Sequence, residues 1–97
     1  VGLVRDVVAE DELLPAAYAL ARSFVDGHSP VATAMMRQMM YRNSAAPDPV
    51  QAHRIESLAM FYASIGEGTE GVAAFREKRP AEFTGRVPDD LPPFYPW

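Results

Sequence analysis

The sequence predicts a mainly helical chain: four helices, one short N-terminal strand and an extended C-terminal arm. Three observations predict it. Apolar residues recur at helical spacing through most of the chain. Two segments, Ser29-Pro30 and Asp48-Pro49, open on a capping residue followed by proline, the order that starts a helix. The stretch from Phe83 to Trp97 carries too many prolines to continue as a helix.

Leu3 to Val8, LVRDVV, is β-branched and apolar at both ends and reads as a short strand. No other segment reads as one, so its backbone N–H and C=O groups need a partner outside this chain. The opening Val1-Gly2-Leu3-Val4 has no Met, and the expectation is a fragment of a longer protein or a processed chain. Glu10-Asp11-Glu12 suits the positive end of a helix, with Asp11 as the cap and the helix over about Glu12–Val25. Pro15 falls in its first turn, where a missing N–H costs little. Leu13, Ala17, Leu20, Ala21 and Phe24 form its apolar face, and Gly27 and Pro30 end it.

The second helix runs from Pro30 to about Arg42, capped by Ser29. Val31, Ala34, Met35 and Met39 face one way, and Met36 and Met40 widen the stripe. Clustered methionines suit an adaptable binding surface, but the helical pattern favours a core or subunit contact. Asn43 to Pro47 is a linker. Asp48 caps the third helix, with Pro49 first and Gln51 at the capping-box position. Ala52, Ile55, Leu58, Ala59, Tyr62 and Ile65 mark its buried face, and Met60 and Phe61 extend it. A helix apolar on several sides is packed on several sides, which points to oligomerisation or a further domain. Thr69 caps a fourth helix from Glu70 to about Arg79, closed by Pro80. The arm carries Phe83, Phe94, Tyr95 and Trp97, so it is expected to dock on its own or a neighbouring subunit.

The bulk numbers exclude several functions. A chain of 97 residues is one small domain at most. Its net charge of −4 argues against nucleic acid and anionic membranes as partners. There are no cysteines, hence no disulfides or thiol chemistry. No signal-peptide pattern is present, and the expected setting is cytoplasmic.

Candidate chemistry is sparse. Gly66-x-Gly68-x-x-Gly71 matches a dinucleotide fingerprint, but it follows a helix rather than a strand and reads as an inter-helix turn. His53 and Glu56 supply only two ligands, too few for a metal site. His28 lies beside Ser29 without a third group to orient it, so a Ser–His pair is disfavoured. Asp89-Asp90 would need burial to act as an acid–base pair. Glu70, Arg76, Glu77, Lys78 and Arg79 remain. By composition they form a charged, solvated helix. The functional alternative is a nucleotide contact, with Phe75 offered to a base and Lys78 or Arg79 to a phosphate.

Several blocks then occur in order: Gly2-Leu3-Val4 with Val7-Val8, Asp11-Glu12-Leu13, Ala19-Leu20-Ala21, Ser29-Pro30-Val31-Ala32, and Glu70-Gly71-Val72-x-Ala74-Phe75-x-Glu77-Lys78-Arg79-x-x-x-Phe83. Together they resemble the C-terminal region of the crotonase superfamily, the enoyl-CoA hydratase/isomerase enzymes. The resemblance covers nearly the whole chain, and its last block is the most specific. It implies a helical region, residues 1–97, attached to an upstream ββα-spiral α/β core that holds the catalytic machinery. Segment 1–9 would complete a sheet of that core, and 84–97 would form the arm. It implies homo-trimers or hexamers, an acyl-CoA thioester as substrate, and an enolate held by an oxyanion hole. Coenzyme A would be part of the substrate, with no separate cofactor and no metal. Carried over by position, Phe75 and Lys78 would bind the CoA nucleotide, and no catalytic residue falls in this chain. Arg37 departs from the family, which often has Lys there. The alternative is a non-catalytic helical oligomerisation module.

Overall fold

The computed structural model describes residues 2–97; Val1, the first position of the predicted segment 1–9, lies outside the described residues. A single 3-10 turn, Glu10–Glu12, leads into four helices: α1 (Leu13–Arg22), α2 (Pro30–Asn43), α3 (Pro49–Ile65) and α4 (Gly68–Glu77). Helix α3 packs against both α2 and α4, whereas α1 contacts the turn that precedes it and none of the other three helices.

The two proline-first starts form as their sequences dictate. Ser29 Oγ accepts from Ala32 N at 2.9 Å, and Asp48 Oδ1 accepts from Val50 N and Gln51 N at 2.8 and 3.0 Å. Each bond satisfies an N–H that has no partner within its helix.

Other starts differ from expectation. Asp11 is not a cap: it lies inside the 3-10 turn, and α1 begins after Glu12 with no side-chain cap bond. Thr69 is not a cap either. Helix α4 already starts at Gly68, and Thr69 Oγ1 donates back to Gly66 O at 2.8 Å. The connection from α3 is so short that a Cβ at Gly68 would lie 2.6 Å from Ala63 O. Helix α1 ends at Arg22 rather than Val25, because Phe24 N and Val25 N bond three residues back and tighten the last turn.

The predicted strand over Leu3–Val8 does not form; no strand is present among the described residues. Leu3 and Val7 stand 94% and 93% exposed, and without a neighbouring ladder an extended segment has nothing to pair with. The apolar face of α1 is likewise open, with Leu13 and Phe24 exposed.

The buried core is small: Met35 of α2, Ala59 of α3 and Ala74 of α4, one residue from each packed helix. The chain keeps 7957 Å² of accessible surface. A compact monomer of its mass would keep about 5,500 Å². Its radius of gyration is 16.5 Å, against about 13 Å for a compact chain of this length.

After α4 the chain has no regular element. Glu82 N and Gly85 N are held by carboxylates of Glu70 and Glu67. Phe94 packs edge-on against Tyr62 of α3, centroids 5.3 Å apart, and Trp97 packs at a tilt against Phe94 and edge-on against Tyr95.

Candidate functional site

Phe75 and Lys78 sit where α4 stops. Phe75 lies on the last turn with its side chain 86% exposed, the most open aromatic of the chain. Lys78 is the residue after the helix, with φ 55° and ψ 41°. It is the one non-glycine residue of positive φ among the described residues. The backbone closes around it in the left-handed manner common at helix ends: Lys78 N donates to Phe75 O, and Arg79 N reaches back to Ala74 O at 3.1 Å. Glycine is the usual occupant, and a lysine there costs about 1 kcal/mol. Three-residue spacing would put Phe75 and Lys78 on one helix face only if Lys78 were helical, so the left-handed turn, not the spacing, sets where Lys78 leaves the backbone.

Both cations of the Lys78-Arg79 pair were candidates for a phosphate, and their surroundings separate them. Arg79 is committed. Its Nη1 and Nη2 donate to Glu70 Oε1 and Oε2 at 2.6 and 2.9 Å, and its Nε donates to Glu77 Oε2 at 2.6 Å. Such a two-pronged pair is the strongest geometry available to arginine and carboxylate. Bonding to Arg79, then to Glu82 N, lowers the Glu70 pKa from 4.5 to about 2. Bonding to Glu70 first and Glu77 second pushes Arg79 up. Lys78 has no ion pair and no side-chain hydrogen bond among the described residues. An exposed ring and an unpaired ammonium at one helix end can meet an anionic nucleotide end, the ring lying under the base and the ammonium on a phosphate.

A separate concavity of about 690 Å³ lies between the start of α2, the α3–α4 connection and the first residues of the arm. Met35, Met36, Tyr62 and Phe83 give it apolar walls, and Glu67 lies on its lining; Phe75 and Lys78 do not. Glu67 ties its sides together by accepting from Ser29 Oγ and from Gly85 N. A Cβ at Gly85 would lie 2.6 Å from the Glu67 carboxyl carbon, so a side chain there would push the carboxylate aside. Sequence reasoning missed Glu67, because its partners lie 38 and 18 residues away. It also missed the Glu70–Arg79 pair, which spans the helix end at a separation outside the helical i,i+4 pattern.

The disfavoured candidates find no support in the geometry. The Gly66–Gly71 run forms the α3–α4 turn and the first turn of α4, with no preceding strand. Ser29 Oγ points at Glu67 while the His28 ring bonds Asp26 O at 2.9 Å, so the two do not form a nucleophile–base pair. Among the described residues, no three His, Cys, Asp or Glu side chains gather as a metal site, and no helix is long and apolar enough to cross a membrane.

The chain belongs to the enoyl-CoA hydratase/isomerase family, whose profile matches residues 1–86. The match takes in all four helices, Phe75 and Lys78, and stops short of most of the arm. Comparison with curated proteins and with solved structures returned no match.

Proposed function

We propose that this chain is the C-terminal helical region of an enoyl-CoA hydratase- or isomerase-type enzyme, a lyase or isomerase acting on an acyl-CoA thioester. An upstream core would supply the backbone N–H groups that stabilise the thioester enolate and the acids that move protons. In this chain Phe75 lies against the adenine and Lys78 meets a CoA phosphate, and the exposed helix faces build a homo-trimer or hexamer. No residue of the chain is assigned to the bond-making step. Coenzyme A enters as part of the substrate.

The observation that carries this is the end of α4, inside the family match: an exposed Phe75 three residues before a Lys78 that no carboxylate holds among the described residues, while neighbouring Arg79 is paired twice. The test uses the complete protein. Phe75→Ala is expected to weaken acyl-CoA binding about tenfold, the worth of one base–aromatic stack. Lys78→Ala is expected to weaken it by a similar factor, for one charge-assisted phosphate contact. Calorimetry measures both. Wild-type affinity in both variants would overturn the site and favour the alternative, a non-catalytic helical oligomerisation module, which the open apolar faces of α1 and α3 also suit.

A further inference from the structure

We infer that the Glu70–Arg79 pair is a positioning device for Lys78, a clip that holds the residue between helix and arm in the left-handed turn and so aims its ammonium at the phosphate. This deepens the proposed CoA site and rests on it.

Four contacts converge around a single residue. On the helix side, Glu70 lies in the first turn of α4, two turns before Lys78. On the arm side, Arg79 directly follows Lys78 and grips both oxygens of Glu70. Glu70 Oε1 also accepts from Glu82 N at 2.8 Å, which fixes the chain three residues beyond Arg79. Glu77, the residue before Lys78, accepts from Arg79 Nε. Lys78 is thus flanked on both sides by residues tied to one guanidinium, and its backbone has little freedom left. A left-handed lysine persists only where its surroundings over-determine it. The helix-end bonds from Lys78 N and Arg79 N favour the same turn, and the clip adds the side-chain ties, since the Lys78 side chain itself is exposed and unpaired among the described residues. The clip also commits Arg79, the cation that directly follows Lys78, to carboxylates.

A positioning role differs from a merely structural one in what it affects. The experiment is a double-mutant cycle in the complete protein with Glu70→Ala, Lys78→Ala and the double variant. Binding is read by calorimetry for an acyl-CoA and for the same acyl group on pantetheine, which lacks the nucleotide and its phosphates. The expected result is a three- to tenfold loss for Glu70→Ala toward acyl-CoA, that is, about a tenfold loss at most. No further loss is expected from Glu70→Ala on top of Lys78→Ala, and none toward the pantetheine ester. Arg79→Lys, which keeps the charge but not the fork, should follow Glu70→Ala. Full additivity in the cycle, or equal losses with both ligands, would overturn the clip as a positioning device. So would unchanged acyl-CoA affinity in Glu70→Ala while Lys78→Ala weakens binding. An unaffected Lys78→Ala would instead overturn the CoA site on which the clip rests.

Discussion

Glu70 carries the clearest electrostatic signature in the chain. Its carboxyl titrates near 2 in the folded chain against an ordinary 4.5, because Arg79 and Glu82 N bond the charged form. The folded value lies below the unfolded one, so the clip's contribution to stability is present above pH 4.5. It is lost as pH falls from 4.5 toward 2. A carboxyl-carbon NMR titration of Glu70 in the complete protein is expected to show a midpoint well below 4.5, moving back toward 4.5 in Arg79→Met. A normal midpoint in the unsubstituted protein would show that the clip does not form. Phe75 and Lys78 could be picked out in the sequence by residue type and by the ordered block around them. Their difference in setting could not. That Arg79 is spoken for, while Lys78 has no partner among the described residues, depends on where Glu70 and Glu77 project once the helix has closed.

The helices differ in how fully local sequence specifies them. Ser29-Pro30 and Asp48-Pro49 fix their own starts, because each side-chain oxygen answers N–H groups two or three residues ahead. Ser29→Ala and Asp48→Ala are each expected to lower stability by about 1 kcal/mol, read from denaturant midpoints of the complete protein. Ser29→Ala should be the costlier of the two, since it also removes the donor to Glu67. An unchanged midpoint in both would show that the caps contribute nothing in the assembled protein. The starts of α1 and α4 were misplaced by one or two residues because acidic residues and a threonine suit several neighbouring cap positions. Geometry chose among them: Gly68 permits α4 to begin within contact of the Ala63 carbonyl, and Thr69 then falls inside the helix.

The molecule as a whole exposes more than it can cover. Its accessible surface exceeds that of a compact monomer by about 2,400 Å², comparable to one partner's share of a large obligate interface. Leu13, Phe24, Met40, Met60 and Phe61 are all more than half exposed, and they lie on three different helices or just beyond one. The 97-residue chain by itself is therefore expected to melt broadly or to associate, as followed by circular dichroism together with sedimentation. A cooperative, monomeric transition would show that the exposed faces need no partner. The amphipathic periods of α1 and α3 already indicated apolar faces, but not which would find cover within the chain. Helix α3 packs against α2 and α4 yet keeps Met60 and Phe61 open, whereas α1 contacts none of the other three helices.

Sequence alone determined the helical class, the two proline-led helix starts and the family, because each rests on residues near one another in the chain or in a fixed order. It also singled out the end of α4. Tertiary structure decided the rest. It left Leu3–Val8 unpaired, since strand formation needs a ladder that composition cannot supply. It brought Glu67 to Ser29 and Gly85, and Glu70 to Arg79 across the helix end. Those contacts join positions 9 to 38 residues apart, a range over which no local period carries information, and they are what separate the clipped Arg79 from a Lys78 that is unpaired among the described residues.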